Sequence, residues 1–304
     1  MAANSTMTAG THLANFIPEV WANKALGYLP KYLNLINTVT VDVNADEIRR
    51  YGDKVNVPIR GTLTAEDKTS GSDVTIQQPT DDTVAITLDK HKEVTFSPED
   101  VARAFSKPEI INGYMEDAAL VLAEAVEDSL AALYVSAGDT VNAGDAVELS
   151  DLRSARRKLI TARVPKNAPL FAYLDEYAVE DLPLTDASVL GTNRPVFEGS
   201  IARLAGFDIF ESQAVKTSGS PSSYHDMIYA KSAMALVVRP LPTDAEVFGG
   251  AKQAVVSDPQ TGLSIRVTMS YNANALAPQV TLDVLWGVGI LRAAHLIDLY
   301  HTNA

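Results

Sequence analysis

The sequence has no cysteine among its 304 residues, which excludes disulfide bonds and thiolate metal sites. The fold must therefore be held by packing or by contacts with neighbouring chains. No stretch reaches the roughly 18 apolar residues of a transmembrane helix. The segment from Met1 to Thr11 lacks the basic start and the apolar run of a signal peptide.

Positive charge is also scarce. The chain has 25 Lys and Arg residues against 38 Asp and Glu residues, a net charge of −13. Broad binding to a phosphate backbone needs a surplus of Lys and Arg, and so does docking to an anionic membrane. We therefore expect no membrane contact and no tight hold on nucleic acid. The hydrophobic fraction of 46% is ample for one large or two medium domains.

The motifs of common enzyme classes are absent too. There is no HExxH, GxGxxG, P-loop or GxSxG sequence. His225 and Asp226 are the only adjacent His and carboxylate, and sequence neighbours rarely form a catalytic pair. Glu124, Glu127 and Asp128 lie close together but lack the ExxH partners of a di-metal bundle. We predict no enzymatic activity, no cofactor and no metal.

A Gly-rich near-repeat covers 137–141 and 143–147 and contains Asp139 and Asp145. Two Asp residues in such a loop could hold a cation. The spacing does not match an EF-hand, however, so turn formation is the favoured interpretation.

The longest regular pattern predicts one helix from Ser106 to Ala137. Ser106 and Glu109 form a capping box, Pro108 suits the first turn, and Gly138 predicts a left-handed stop. One apolar stripe contains Ile111, Met115, Ala118, Leu122 and Ala125, widened by Ile110, Tyr114, Val121 and Leu133.

The other side of this helix is acidic and has no basic residue after Lys107. Its members are Glu109, Glu116, Asp117, Glu124, Glu127 and Asp128. Such a run of charge can be a plain solvated face. Alternatively, it can line a space whose contents are not to be held tightly.

A long hairpin precedes the helix. Val55, Val57 and Ile59 alternate with polar residues and predict a strand, which Pro58 places at a sheet edge. A return strand is predicted from Val84 to Phe96, with a charged middle at 89–93 that could lie across a neighbour. The excursion between the strands, 61–82, is far longer than the 2–5 residues usual for a hairpin. It is therefore either disordered or supported from outside the chain.

The second half begins with a compact α/β alternation. Helices are predicted from Asp151 to Ala162, with Ile160 facing inward, and from Glu176 to Leu182. Strands are predicted over 169–174, at 227–229 and on both sides of Gly206. The last quarter returns to strands, over 263–271 and 280–284. A bend is predicted at Gly287-Val288-Gly289, and then a final strand or short helix.

Several short motifs occur in a specific order. They are Phe16-Ile17-Pro18-Glu19-Val20-Trp21, 52–58 (GDKVNVP), 90–100 (KHKEVTFSPED), 206–212 (GFDIFES) and Trp286-Gly287-Val288-Gly289. Each is weak alone, but their order resembles the HK97-like major capsid proteins of tailed bacteriophages. It is most similar to the coat proteins of short-tailed phages.

The resemblance implies an α+β fold with four parts. Residues 1–50 correspond to an N-terminal arm and 51–96 to an extended β-hairpin loop (E-loop). Residues 97–149, with a spine helix over 107–137, and the return strands of 254–304 correspond to the peripheral domain. Residues 150–253 correspond to the α/β axial domain.

The resemblance also implies a function. The chain would assemble with itself into the hexamers and pentamers of an icosahedral shell, which encloses double-stranded DNA without reading its sequence. A separate scaffolding protein and a portal protein are the implied partners, and the virion capsid, assembled in the host cytoplasm, is the implied location. Inter-subunit contacts are expected for the arm, the loop and the charged strand, with the candidates Phe16, Trp21, Tyr28, Glu66, Asp67, Lys68, Lys90 and Lys92. Trp21, flanked by Phe16 and Tyr28, could equally pack on its own chain. An encapsulin-type shell protein is the near alternative, and a soluble α/β enzyme is a more distant one.

Overall fold

The computed structural model describes residues 35–41, 54–59, 63–71, 73–74, 76–78, 82–97, 108–182, 202–219, 222–243, 252–257, 263–272 and 277–302. Its helices are α1 (Pro108–Ala131), α2 (Leu149–Thr161) and α3 (Glu176–Asp181), with 3₁₀ turns at Ala132–Ser136 and Ala293–His295. Its strands are β1 (Thr40–Val41), β2 (Lys54–Ile59), β3 (Asp82–Thr87), β4 (Lys90–Phe96), β5 (Asp139–Gly144), β6 (Leu170–Leu174), β7 (Ala202–Leu204), β8 (Phe207–Glu211), β9 (Lys216–Ser218), β10 (Ser223–Ala230), β11 (Met234–Arg239), β12 (Lys252–Ser257), β13 (Ser264–Asn272), β14 (Ala277–Ile290) and β15 (Leu296–Thr302). None of the helices described here is long and apolar enough to cross a membrane.

A six-stranded sheet in the order β1-β11-β14-β13-β12, with β4 also paired to β14, forms the first half of the body. β14 is its organising strand because it pairs with three others, β13 over 277–283, β4 over 280–286 and β11 over 285–290. Helix α1 packs against this sheet, and both contribute to one core that includes Met115, Leu122, Leu282 and Trp286.

A seven-stranded sheet forms the other half, in the order β5-β15-β10-β6-β8-β7, with β9 on β10. Helices α2 and α3 pack into its second core through Leu152, Leu159 and Ala178. The sheets divide the chain at points other than the predicted domain boundaries. β15 and β5 lie outside 150–253 yet belong to this sheet, whereas β11 lies inside that range and belongs to the six-stranded sheet. The domain assignment itself stays a prediction.

The long helix is confirmed in its centre and corrected at its end. It runs to Ala131 and tightens into a 3₁₀ turn over 132–136, and its predicted start at Ser106 lies outside the described residues. Gly138 is not in the left-handed region. A Cβ at this position would lie 2.5 Å from the carbonyl oxygen of Ala293. Glycine is therefore needed because two backbone segments pass close to each other here.

The buried stripe of α1 differs from the predicted one on one flank. Met115 and Leu122 are buried as predicted, but Tyr114 and Val121 are half exposed. The buried flank of α1 instead contains Ala119, Ala123, Val126 and Leu130. The side chain of Ile111 lies outside the described part of the chain. A similar correction applies to α2, where Ile160 is 64% exposed.

The predicted return strand of the hairpin is two strands in two sheets. β3 pairs with β2 in a two-stranded ribbon, whereas β4 pairs with β14 in the six-stranded sheet. The chain changes sheet at Leu88 and Asp89. The edge position predicted for Pro58 is confirmed, because β3 is the only partner of β2 among the described strands.

The root of this hairpin sits on β14 at two glycines. β14 continues through Gly287 and Gly289, so the bend predicted there is wrong. A Cβ on Gly287 would overlap the carbonyl oxygen of Thr87, and one on Gly289 would lie 2.8 Å from the Ile86 side chain. Ile86 is buried with Val55, Ala235 and other residues in a small separate core. The missing side chains therefore make room for the hairpin.

This packing gives a stability prediction. Gly287→Ala should destabilise the isolated subunit by about 1–3 kcal/mol, the usual cost of overpacking, because the backbone of Thr87 must move. The matched control is Gly113→Ala in α1, where a Cβ meets nothing within 4 Å. There we expect a gain of about 0.5–1 kcal/mol from helix propensity. Urea unfolding of the two variants checks both signs, and equal stability of both would contradict the packing described.

Candidate assembly surfaces and buried polar clusters

The loop between β2 and β3 exposes apolar side chains. Leu63, Val74 and Ile76 are 67%, 69% and 81% exposed. The predicted contact residues Glu66, Asp67 and Lys68 lie in the same segment and are exposed as well. Large apolar side chains presented together in this way mark interaction surfaces. The loop is therefore a candidate interaction surface.

A side-chain clamp holds the two arms of the loop together. The amide of Gln77 accepts a hydrogen bond from the Thr64 N–H (2.9 Å) and donates one to the Thr64 carbonyl (2.5 Å). Gln77 therefore replaces the backbone pairing that ends at Ile59 and Asp82. These hydrogen bonds hold the two arms of the loop side by side, although the loop has no hydrophobic core.

The outer face of α1 combines acid with apolar surface. Asp117, Glu124 and Asp128 are exposed, as predicted. Two details differ from the prediction. Asp128 pairs with Lys216 of β9 at 2.5 Å, and Glu127 is buried rather than on the acidic face.

Glu127 faces the core because it accepts hydrogen bonds from the rest of the subunit. Its carboxylate accepts one bond from the Leu35 N–H (3.2 Å) and one from the Tyr173 hydroxyl (3.3 Å). Burial and then the nearby Glu127 charge raise the pKa of Tyr173, so this hydroxyl stays a donor. The residue thus joins α1 to β6 and to the segment that leads into β1.

The charged stretch at 89–93 belongs to the subunit's own sheet. Lys90 and Lys92 pair in register with Trp286 and Val284 of β14, so one edge of this strand is occupied within the chain. The side chain of Lys92 is exposed and that of Lys90 is half-buried. Their role in inter-subunit contact stays a prediction.

A buried carboxylate ties three strands together below this stretch. Asp283 of β14 is 3% exposed. Arg266 of β13 binds it through two nitrogen–oxygen contacts of 3.1 and 2.6 Å. His91 of β4 lies 2.9 Å from the same carboxylate. A planar guanidinium on a carboxylate is a strong, directional pair.

Asp283→Asn should therefore lower the free energy of unfolding by about 1–3 kcal/mol, because Arg266 keeps its place and loses its counter-charge. The control is Asp117→Asn on the exposed face of α1, which we expect to change stability by less than about 0.5 kcal/mol. Urea unfolding of both variants measures the difference. An unchanged midpoint for Asp283→Asn would show that the buried pair is not important for stability.

The remaining arm candidates, Phe16, Trp21 and Tyr28, lie outside the described residues.

The two carboxylates of the Gly-rich near-repeat, Asp139 and Asp145, each accept a hydrogen bond from another side chain of the protein. Asp139 is bound by Lys158 Nζ at 2.7 Å, and this hydrogen bond lowers the pKa of Asp139. Asp145 accepts from the Thr302 hydroxyl at 3.1 Å. Gly144 is left-handed (φ 76°), in line with the favoured turn interpretation.

His225 and Asp226 do not form a pair. They are neighbours on β10, and successive side chains of a strand point to opposite faces of the sheet. His225 lies beside Asp298 (Nδ1 to Oδ2, 3.0 Å) and Ser218 (Nε2 to Oγ, 2.6 Å), with Tyr134 stacked on its ring at 4.3 Å. The arrangement joins β9, β10 and β15, and it fixes the ring between two polar partners.

Asp226 instead meets His301 and Asp175 on the opposite face. His301 Nε2 lies 3.1 Å from Asp175 Oδ1 and 3.3 Å from Asp226 Oδ2. All three residues are buried. No sequence motif could have found this cluster, because its members are 51 and 126 residues apart.

Burial and hydrogen bonding together set the protonation of this cluster. Burial raises the pKa of Asp226 to about 6, against the lowering effect of His301. Burial lowers the pKa of His301, but the hydrogen bonds to Asp175 and Asp226 outweigh it and raise the pKa to about 9. The folded chain therefore holds these protons more tightly than the unfolded chain does.

The sign of the pH dependence follows. A raised pKa stabilises the fold below the unfolded value, and the gain is lost as pH rises through the folded value. For His301 this window runs from 6.5 to about 9. We expect the free energy of unfolding to fall across it by on the order of 3 kcal/mol. Urea unfolding at several pH values, with a chelator present so that only protons bind, measures this fall. A flat profile, or a His301 NMR titration midpoint below 6.5, would contradict it.

Comparison with known proteins identifies the fold. No model of a protein family matches the sequence, and no protein with a curated description is similar to it. Among solved structures, a chain of Mycobacterium phage Che8 matches with a TM-score of 0.59 and 18% identity, over 86% of this chain and 89% of that one. The capsid of Ralstonia phage GP4 matches at 0.61 and 10%, over 87% of both chains.

A virus-like particle from Pyrococcus furiosus is also similar, with a TM-score of 0.53 and 11% identity, over 92% of this chain and 98% of that one. Such low identity carries information about the fold, and a fold alone does not establish a function. Coverage near the full length of both chains shows that the whole architecture is shared. The chain therefore has the α+β fold of HK97-like capsid proteins that its motif order predicts.

Proposed function

We propose that the chain is the major capsid protein of a tailed bacteriophage. The observation that carries the proposal is the match to phage capsid chains over most of both lengths. The subunit's own features support it. It has two rigid sheets, each with its own packed core, and a loop whose apolar side chains are left exposed.

The loop supplies the mechanism of assembly. Covering Leu63, Val74 and Ile76 with a neighbouring subunit removes apolar area from water, which stabilises the contact by roughly 25 cal/mol per Å². The Gln77 clamp keeps the loop extended before contact, which reduces the entropy lost when it docks. Contacts of one loop with the next subunit are head-to-tail, and such contacts form rings when the rotation between neighbours closes.

Several finer statements belong to the same proposal. The rings are the hexamers and pentamers of an icosahedral shell, and a separate scaffolding protein and a portal protein assist assembly in the host cytoplasm. The shell encloses double-stranded DNA without reading its sequence, and the net charge of −13 disfavours adhesion to the genome. The acidic face of α1 points inward, and the protein is not an enzyme. Kinship with short-tailed phages rests on the motif order alone.

A cellular shell protein is the second candidate, favoured by the match to the Pyrococcus furiosus virus-like particle. The contents of particles made in the native host distinguish the two. Shells filled with double-stranded DNA support the capsid, and shells that hold protein and no nucleic acid support the alternative.

Assembly itself is tested by electron microscopy of the purified protein, alone and co-expressed with the scaffolding protein of its phage. We expect closed shells in at least one condition. A protein that stays monomeric in every condition, including with the scaffold, would overturn both shell proposals.

The loop is tested by placing charge on its apolar residues. The double variant Val74→Asp and Ile76→Asp should fold normally, since both side chains are exposed in the subunit, but its shell yield should fall at least tenfold. The matched control places two charges on exposed polar positions of the same loop, Ser70→Asp and Gln78→Asp. We expect the control to assemble much better than the test variant. Sedimentation measures the yield, and equal yields for the two variants would show that the apolar residues are not the contact.

A further inference from the structure

The cluster of Asp175, Asp226 and His301 has the chemistry of a metal site, although no sequence motif predicts one. Three separate elements bring the residues together. Asp175 follows β6 and caps the N-terminus of α3, Asp226 lies on β10, and His301 lies on β15. Their nearest ligand atoms all lie within 4.8 Å of one another. The side chains are 0–6% exposed, so the group is shielded from bulk water.

The spacing of the donor atoms suits a tetrahedral ion. Zn²⁺ with nitrogen and oxygen ligands at 2.0–2.1 Å places those ligands about 3.3 Å apart. His301 Nε2 lies 3.1 Å from one Asp175 oxygen and 3.3 Å from one Asp226 oxygen. An imidazole with two carboxylates is a ligand set for borderline transition metals, whereas Ca²⁺ and Mg²⁺ favour oxygen ligands throughout.

The carboxylates are already oriented by the backbone. Asp226 Oδ1 accepts from the Asp175 N–H at 2.8 Å, and Asp175 Oδ1 accepts from the Ala178 N–H at 2.8 Å. Such outer contacts are typical of carboxylates that bind metal ions. Asp175 Oδ2 is buried and has no hydrogen-bond partner among the described residues, and the buried Asp226 Oδ2 lies 3.3 Å from His301 Nε2. A buried acceptor without a donor is costly, and a cation beside it removes that cost.

The charge balance of the cluster also favours a bound cation. Two carboxylates surround one imidazole, whose single positive charge can compensate only one of them. A divalent cation bound to a neutral imidazole and two carboxylates makes the group neutral, which suits a buried position.

An acidic cavity lies beside the cluster. It has a volume of about 250 Å³, and Asp175 lines it together with Glu176, Glu211 and Tyr224. Tyr224 separates the cavity from the imidazole, because it stacks on the ring of His301 at 5.3 Å. Acidic walls raise the local concentration of cations. Water in this cavity can supply the fourth ligand.

We propose that Asp175, Asp226 and His301 bind one divalent transition-metal ion, Zn²⁺ being the best fit. The ion joins the start of α3 to β10 and β15, and it thereby fastens one end of the seven-stranded sheet. The site stands on its own geometry and does not depend on the proposed function.

The experiment is a Zn²⁺ titration of the full-length subunit after treatment with a chelator. We expect one ion per subunit by calorimetry and a rise in melting temperature of about 5 °C at a hundredfold excess over the dissociation constant. Co²⁺ in the same site should give the intense visible bands of a tetrahedral ion, a readout that needs no variant. No Zn²⁺ binding by the folded subunit, or Co²⁺ with only the weak spectrum of the aqueous ion, overturns the proposal.

The variant Asp226→Asn tests the assignment. Its amide oxygen can still accept from the Asp175 N–H, so the fold is preserved, but the affinity for Zn²⁺ should fall at least tenfold. The control is Asp208→Asn on β8 of the same sheet, a carboxylate that is also buried. We expect its affinity to equal that of the wild type. Equal losses in the two variants, or no loss in Asp226→Asn, would refute the assignment to this cluster.

Discussion

The contact between β3 and β14 is the constraint on which the subunit depends. β14 is the longest strand and pairs with three others. At Gly287 and Gly289 it has no side chains, which leaves room for Thr87 and Ile86 to pack against it. The same strand thus organises the six-stranded sheet and holds the root of the exposed loop. A loop that has no core of its own can then project from a body that is rigid where the loop leaves it.

Beyond this root, the loop differs from the body in which side chains are exposed to water. In the body, the buried Asp283 is paired with Arg266. In the loop, Leu63, Val74 and Ile76 remain in water. Under the function proposed above, a neighbouring copy of the chain would cover this apolar area.

Local patterns predicted most of the elements because helices and strands have different periods. The centre of α1, both strands of the hairpin root and the strand pair at Gly206 follow from spacing alone. The order of weak motifs was enough to predict the fold, although identity to the similar structures is only 9–18%.

The sequence pattern does not reveal contacts between residues that are far apart in the chain. Glu127 looks like any exposed acid until Leu35 and Tyr173 reach it. The glycines of β14 predict a bend from sequence, whereas in the structure they make room for β3. The cluster at His301 joins residues far apart in the chain, and strand geometry separates His225 from Asp226. The candidate contacts of the arm and the charged strand depend on a second subunit, about which one chain holds little information.

The most direct measurement is a cryo-electron microscopy reconstruction of the assembled particle at side-chain resolution. The account predicts that Leu63, Val74 and Ile76 become buried against a neighbouring subunit, while Ile86 stays seated on Gly287 and Gly289 of its own chain. A closed shell in which residues 63–78 extend into solvent, touching no neighbour, would contradict it.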